Sequence, residues 1–206
     1  KRNLEDPRNH LFVEFVRLLK VFQPKAFVME NVSGLVKGKM ILVFVEILKE
    51  LKACGYQVSA RLMNASYFNV PQSRSRVIFI GRKCGAPSHP IAARQALGLR
   101  QALGLRRGWG SRDLSGIKNR QFNNRYRSID LPSVTLEKTR PPILLENSIE
   151  RELTLGECAI LQSFPDKWKW SSKQAYQQIG NSVPPLFMCA IAEHVSGLLK
   201  TESIAA

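Results

Sequence analysis

The sequence predicts an α/β fold of the doubly wound kind that is interrupted by an irregular, strongly basic segment. Residues 26–65 read as strand, helix and strand, which is the repeating unit of such folds. The regular pattern stops after Gly81, and residues 106–142 are rich in Arg, Asn, Ser, Gly and Pro. Helical patterns return after residue 152. A chain of 206 residues can form one domain with a core, or one domain with a small additional lobe.

The first 82 residues are predicted to form two helices and three strands. Apolar residues recur at helical spacing between Asp6, a candidate cap, and Pro24, with Pro7 in the first turn. The run "AFVMENV" is typical of a parallel strand covered on both faces. "MILVFVEILKELKACG" predicts a second helix closed by Gly55. "YQVSARLMNA" and "RVIFIGR" predict two further strands.

The second half contains shorter signals. An exact tandem repeat, "RQALGL" at 94–99 and 100–105, predicts either a short helical turn or a slipped copy in a loop, and no function is assigned to it. Thr154 and Glu157 have the spacing of a capping box ahead of a short helix. Phe164 and Pro165 should end that helix. "QQIGNSVPP" predicts a loop, and "PLFMCAIAEHVSGLL" predicts a final helix.

The charge of the chain favours a polyanionic partner. The formal net charge is +15, and the segment from Arg82 to Arg140 holds thirteen Lys or Arg against three Asp or Glu, a net of +10. Such a cluster is most often a nucleic-acid-binding surface. The alternative, an anionic membrane surface, lacks the long basic amphipathic helix that it would need.

Four scattered cysteines, with no C-x-x-C pair, argue against a disulfide framework and against a zinc site. We therefore expect no metal and an intracellular protein, in the cytoplasm or nucleoid, or in the nucleus of a eukaryote. We also expect no membrane partner, because the apolar window that starts at Ile41 is too short to span a bilayer. The first residue is Lys1, which leaves open that an upstream portion exists.

Taken singly, the polar motifs are weak signals. Glu30 follows four apolar residues, and a lone glutamate there is more often a salt-bridging or capping carboxylate than a catalytic one. Gln72, Arg74 and Arg76 have a spacing of two, so they should share one face of an extended segment. That face could simply pair with acidic residues on a neighbouring strand.

Taken together and in this order, the motifs resemble the C-terminal two thirds of DNA cytosine-C5 methyltransferases. The matching blocks are "FVMENVSGL", "YFNVPQSRSRVIFIG", "RELTLGECAILQSFPD" and "QQIGNSVPP", and "KRNLEDPRNHLF" is similar to the segment that follows the catalytic loop. The resemblance covers about 1–82 and 128–200. It implies the C-terminal part of a Rossmann-like sheet that uses S-adenosylmethionine, together with a small irregular target-recognition lobe.

The resemblance assigns catalytic roles to four residues. In the family a cysteine thiolate attacks C6 of a flipped cytosine, and C5 takes the methyl group. Glu30 matches the glutamate that hydrogen-bonds N3 of the base, and burial would favour the protonated, donating form of such a carboxyl. Arg76 matches the arginine on the O2 side of the cytosine, Arg74 would support this site or a nearby phosphate, and Asn31 would orient the loop.

The resemblance also predicts a cofactor loop and a division into three segments. Asn181, Ser182 and Val183 match positions that help to hold S-adenosylmethionine, at a helix start whose N–H groups favour a carboxylate. Residues 1–82 would be the second half of the catalytic domain. Residues 83–140 would form a small lobe that binds double-stranded DNA, and 141–206 would return to the catalytic domain.

Two parts of the family pattern are not found in this sequence. None of the four cysteines follows a proline, whereas the family's nucleophile lies in a Pro-Cys motif, and the glycine loop for the cofactor is absent. We expect the chain to be a split subunit, a fragment, or a degenerate relative that is inactive by itself. Three functions remain open: part of a DNA cytosine-C5 methyltransferase in a restriction-modification or orphan role, an inert DNA-binding or accessory protein, and a methyltransferase acting on tRNA.

Overall fold

The computed structural model describes residues 11–92, 96–105, 116–119, 123–137, 141–146, 149–170 and 174–205. The chain divides into two compact units. Unit 1 contains residues 1–63, 75–91 and 191–206, and unit 2 contains 64–74 and 92–190. The predicted helix cap, Asp6 with Pro7, lies outside the described residues.

Unit 1 is built on a three-stranded sheet flanked by helices. Helix α1 (Leu11–Phe22) precedes β1 (Ala26–Val32), α2 (Ile41–Ala53) leads to β2 (Gln57–Asn64), and β3 (Ser75–Arg82) completes the sheet. All five elements were predicted. Gly55 follows α2 with φ +85, a conformation that glycine adopts without strain. Phe12, Leu51 and Phe79 belong to the buried core of this unit.

The sheet order β1-β3-β2 corrects the prediction of a parallel, fully covered first strand. The described pairing of β1 is with β3 and is antiparallel, with Val32 opposite Arg76 and Glu30 opposite Ile78. Because β1 lies at the edge of this sheet, only Phe27 of its seven residues is buried. Strand β3 lies in the middle and is buried from Val77 to Arg82.

Unit 2 contains a second sheet that the sequence did not predict. Its strands are β4 (Gly116–Asn119), β5 (Asn123–Ser128), β6 (Ile143–Glu146) and β7 (Ile149–Glu152), in the order β5-β4-β6-β7. The described pairings in this sheet are antiparallel. The unit therefore extends past the predicted lobe boundary at residue 140, because β6 pairs with β4 inside the lobe and β7 pairs with β6.

Four helices accompany this second sheet along the chain. They are α3 (Leu99–Leu103), α4 (Leu155–Leu161), α5 (Ala175–Asn181) and α6 (Pro185–Ala205), of which the last continues into unit 1. Helix α3 begins with the last residue of the first "RQALGL" copy and continues through the first four residues of the second copy. The first part of the predicted loop at 177–185, residues 177–181, is helical instead, because Ala175 and Ile179 of α5 are buried.

The predicted capping box at α4 is confirmed, and Arg151 reinforces it. The side chain of Thr154 accepts from the backbone N–H of Glu157, whose carboxylate accepts from the backbone N–H of Thr154. Arg151 donates through both terminal nitrogens to the two carboxylate oxygens, at 2.7 and 2.8 Å. Although burial acts to raise the pKa of Glu157, these hydrogen bonds from Arg151 and Thr154 hold it below its usual value.

We expect Glu157→Gln to lower the free energy of unfolding by about 1–2 kcal/mol at neutral pH, because it removes the charged partner of Arg151. A depressed carboxyl pKa stabilises the folded state above the unfolded pKa and loses that effect as the pH falls through the folded value. The difference from the unsubstituted chain should therefore shrink below about pH 4. Urea unfolding at several pH values measures it, and Glu46→Gln on the exposed face of α2 is the control. A difference that does not change with pH would contradict this account.

Candidate active-site residues and cofactor loop

Glu30 and Arg76 form a salt bridge across two neighbouring strands. The Nε of Arg76 donates to Oε1 of Glu30 at 2.7 Å. The antiparallel register places Arg76 opposite Val32, two residues beyond Glu30, so the two side chains meet diagonally on one face of the sheet. The two residues that the sequence assigned to one cytosine are thus in direct contact.

The surroundings of this pair differ from the predicted ones. The Glu30 side chain is 26% exposed and has a cationic partner, so it is not the desolvated, isolated carboxyl that the apolar run suggested. The cause is the edge position of β1. Arg76 is more buried, with its side chain 13% exposed. Burial lowers the pKa of Arg76 and the Glu30 carboxylate acts against that change, so the guanidinium remains charged at neutral pH.

Asn31 follows Glu30 at the end of β1 and makes a local contact. Its Oδ1 accepts from the backbone N–H of Val32 at 2.8 Å. A side-chain acceptor in this position satisfies a backbone donor where the strand ends. This contact supports the predicted role of Asn31 in orienting the segment that follows.

Arg74 and Arg76 have different partners in the structure. Arg74 precedes β3, belongs to unit 2, and is only 1% exposed. Its guanidinium donates to backbone carbonyls of Leu136, Gly180 and Ser182 at 3.3, 2.8 and 3.0 Å. Arg74 therefore holds the segment that contains the predicted cofactor loop. Because its side chain is buried, it is not available for the predicted contact with a phosphate group.

Ser182 is held at the end of α5 by hydrogen bonds. Its hydroxyl donates to the carbonyl of Ile179 at 2.8 Å, and its carbonyl accepts from Arg74 and from Nε2 of Gln162. Gln162 and its partner Gln72 are both fully buried. Gln162 is not among the predicted site residues, although it lies inside the block "LQSFPD". Its role depends on contacts far along the chain, which a local pattern does not reveal.

The residues around Ser182 fit a cofactor only in part. Asn181 is exposed and Val183 is half-buried, so both present surface to a ligand. The start of α6 offers fewer donors than predicted, because Pro185 has no N–H and the N–H of Leu186 is donated to the hydroxyl of Ser163 at 3.1 Å. Asn181 and Val183 are therefore accessible, whereas the hydroxyl of Ser182 is used within the protein.

Two of the four cysteines occupy buried positions unlike that of an activated nucleophile. Burial, followed by the nearby Glu157, raises the pKa of Cys158 to about 12, so this thiol is protonated at neutral pH. Cys54 is also buried and contacts the carbonyl of Glu50. Cys84 and Cys189 are exposed. Neither of the two buried thiols can serve as the attacking group.

A family model described as C-5 cytosine-specific DNA methylase matches residues 1–103 and 94–197. The chain belongs to this family. The two matched segments overlap at 94–103, within the "RQALGL" repeat. Members of the family depend on S-adenosylmethionine, and the described α/β sheet of unit 1 agrees with their fold.

Curated relatives include bacterial type II methyltransferases. M1.HphI of Haemophilus parahaemolyticus is 36% identical, and the alignment covers 93% of this chain and 62% of the relative. M.FnuDI of Fusobacterium nucleatum is 27% identical, and the alignment covers 96% of this chain and 72% of that relative. The chain therefore spans about two thirds of the length of these relatives.

A solved structure supports the same fold. The Dnmt2 methyltransferase of S. pombe superimposes with a TM-score of 0.69 at 20% identity, covering 97% of this chain and 75% of that one. At this level of identity the similarity concerns the fold alone.

Metal and membrane sites were expected to be absent. Among the described residues, no group of three or more His, Cys, Asp or Glu side chains could hold a metal ion.

One described stretch, 175–201, is long and apolar enough by composition to cross a membrane, with a mean hydropathy of 1.3. It is not a single helix, however, because α5 ends at Asn181 and α6 begins at Pro185. The absence of metal and membrane partners stays a prediction.

Proposed function

We propose that this chain is the C-terminal portion, or a subunit, of a DNA (cytosine-5)-methyltransferase. In this reaction a thiolate adds to C6 of a flipped cytosine, C5 gains the methyl group, and loss of the C5 proton with release of the thiolate restores the ring. The thiolate comes from an upstream half with a Pro-Cys motif. S-adenosylmethionine supplies the methyl group when it is bound.

The observation that carries this proposal is the Glu30–Arg76 pair. Once its carboxylate takes up a proton in the complex with the base, Glu30 would donate to N3, while the guanidinium of Arg76 would donate to O2. Together they would stabilise the charge that develops on the cytosine ring during attack at C6. The 2.7 Å contact brings these groups to one place on the sheet of unit 1. Arg76 is rigidly held because its Nη1 also donates to the carbonyl of Ser75 at 2.8 Å.

The remaining predicted residues have supporting roles. Asn31 fixes the backbone beyond Glu30 through its contact with Val32. Arg74 acts on the cofactor loop through the carbonyls of Gly180 and Ser182. Asn181 and Val183 contact the cofactor, and Ser182 maintains the shape of the loop by its bond to the carbonyl of Ile179.

Double-stranded DNA is the proposed substrate, and the basic segment from Arg82 to Arg140 is the proposed surface that binds it. Its net charge of +10 would attract phosphates. Part of this segment is also structural, because Ile117 on β4 and Ile129 are fully buried in unit 2. Many of its arginines, including Arg106, Arg107 and Arg112, lie outside the described residues. The type II methyltransferases among the relatives favour DNA over tRNA and suggest an intracellular restriction-modification enzyme.

Dependence on an upstream half is supported by the surface of unit 1. Strand β1 pairs with β3 alone among the described residues, which leaves its second edge open to another strand. Large apolar side chains are also exposed on the neighbouring helices, including Leu11 and Phe22 of α1 at 66% and 73%, and Leu42 of α2 at 66%. Such a surface is typical of one that another polypeptide covers.

A substrate competition tests the proposed function. The chain and the upstream half are mixed with labelled S-adenosylmethionine and with equal amounts of duplex DNA and tRNA. We expect the label on C5 of cytosine in the DNA. If tRNA carries the label instead, tRNA and not DNA is the substrate. If neither nucleic acid is labelled by a preparation that binds both nucleic acid and cofactor, the chain is better explained as an inert accessory protein.

A further inference from the structure

A directed series of hydrogen bonds runs through the interior of unit 2. The backbone N–H of Leu136 donates to Oε1 of Gln72 at 3.1 Å, and Nε2 of Gln72 donates to Oε1 of Gln162 at 2.5 Å. Nε2 of Gln162 then lies 2.8 Å from the carbonyl of Ser182 and 3.0 Å from that of Ile179. Both glutamine side chains are 0% exposed, so no water competes for these groups.

The two ends of this series fix the orientation of both amides. Leu136 provides a donor, which requires the oxygen of Gln72 and turns its NH₂ group towards Gln162. The oxygen of Gln162 must then accept, and its NH₂ group faces the carbonyls of the cofactor loop. Turning either amide over would bring two like groups together and leave a buried donor without an acceptor.

The series joins the 133–136 segment to the proposed cofactor loop. At one end lie residues 133–136, which pair with the 71–73 segment through Ser133 and Thr135. At the other end lies the loop at 179–183 that is proposed to hold the cofactor. Arg74, which follows Gln72 closely in the sequence, also donates to the carbonyl of Ser182. One carbonyl at the centre of the loop is therefore held by two side chains.

We infer that Gln162, oriented by Gln72, is a positioning residue that sets the conformation of the 179–183 loop and thereby the affinity for S-adenosylmethionine. The inference rests on the proposed function for its ligand. Gln162 does not touch the cofactor itself, because its side chain is fully buried and faces the backbone of the loop. Its effect on binding passes through Ser182 to the exposed Asn181 and half-buried Val183.

Gln162→Met and Gln162→Glu separate positioning from packing. Methionine keeps the volume but offers no donor, and glutamate accepts from Gln72 but turns an oxygen towards the loop carbonyls. In the enzyme reconstituted with its upstream half, we expect either change to raise the dissociation constant for S-adenosylmethionine about tenfold. The dissociation constant for DNA should stay within about threefold. Gln178→Met on the exposed face of α5 is the control and should change neither constant.

Hydrogen exchange of the 206-residue chain provides a second measurement that needs no cofactor. The backbone N–H groups of Asn181, Ser182 and Val183 should exchange roughly tenfold faster in Gln162→Met, while those of β3 remain unchanged. Unchanged exchange in the loop, or equal losses of cofactor and DNA affinity, would overturn the inference. A reconstituted parent enzyme that does not bind S-adenosylmethionine would contradict the proposed function instead, and the exchange result would still decide the role of Gln162.

Discussion

Glu30→Gln should reduce methyl transfer by the reconstituted enzyme by roughly 10²–10⁴-fold, the range typical of losing a positioned acid. Glutamine keeps the size of the side chain and can donate a hydrogen bond, but it cannot transfer a proton to N3 of cytosine. The partly exposed pair with Arg76 should contribute at most about 1 kcal/mol to stability. Folding and cofactor binding should therefore survive the substitution.

The competing interpretation is that Glu30 is a structural carboxylate for Arg76. Turnover by Glu30→Gln would then fall only as far as the fraction of folded protein falls. To separate the two interpretations, the melting temperature and the single-turnover rate are measured on the same preparation. Glu14→Gln removes a similar but exposed contact with Arg17 on α1 and serves as the control. A stable Glu30→Gln enzyme with near-normal turnover would remove Glu30 from the chemistry.

Arg74→Met should be the most destabilising of the substitutions considered, with a cost of about 3 kcal/mol or more. Methionine fills the space of the arginine stem but removes the guanidinium donor from the carbonyls of Leu136 and Gly180, and leaves the carbonyl of Ser182 with Gln162 as its side-chain donor. Trp168 and Trp170 belong to the same unit as Arg74, so their fluorescence in a urea titration reports its unfolding.

Arg76→Met is the matched comparison for Arg74→Met. It should leave the urea midpoint of unit 2 nearly unchanged, because Arg76 belongs to unit 1, and it should abolish most of the turnover through loss of the contact to the base. Equal destabilisation of unit 2 by the two substitutions would contradict the separate roles assigned to these neighbouring arginines.

The sequence predicted the elements of unit 1 well because each has a strong local signal. The apolar runs of β1 and β3 and the glycine that ends α2 are visible without any tertiary information. What the sequence lacked was the strand order. Placement of β1 at the edge, which exposes Glu30 and allows its contact with Arg76, depends on which strands pair.

The sheet of unit 2 was not predictable for a different physical reason. Strand β5 reads "NNRYRS", which has no apolar alternation, and the other three strands contain four residues each. Their pairing joins residues that are distant in sequence, such as Gly116 with Leu145. The position of Gln162 is a similar case, since its partner Gln72 lies 90 residues away.

The central claim is that this chain supplies the base-binding half of a cytosine methyltransferase whose nucleophile lies in another segment. Transfer of labelled methyl groups to duplex DNA tests it directly with the 206-residue chain alone, the upstream half alone, and the two together. We predict 5-methylcytosine only when both are present. Methylation by the chain alone would contradict the claim, because one of its own four cysteines would then have to be the nucleophile.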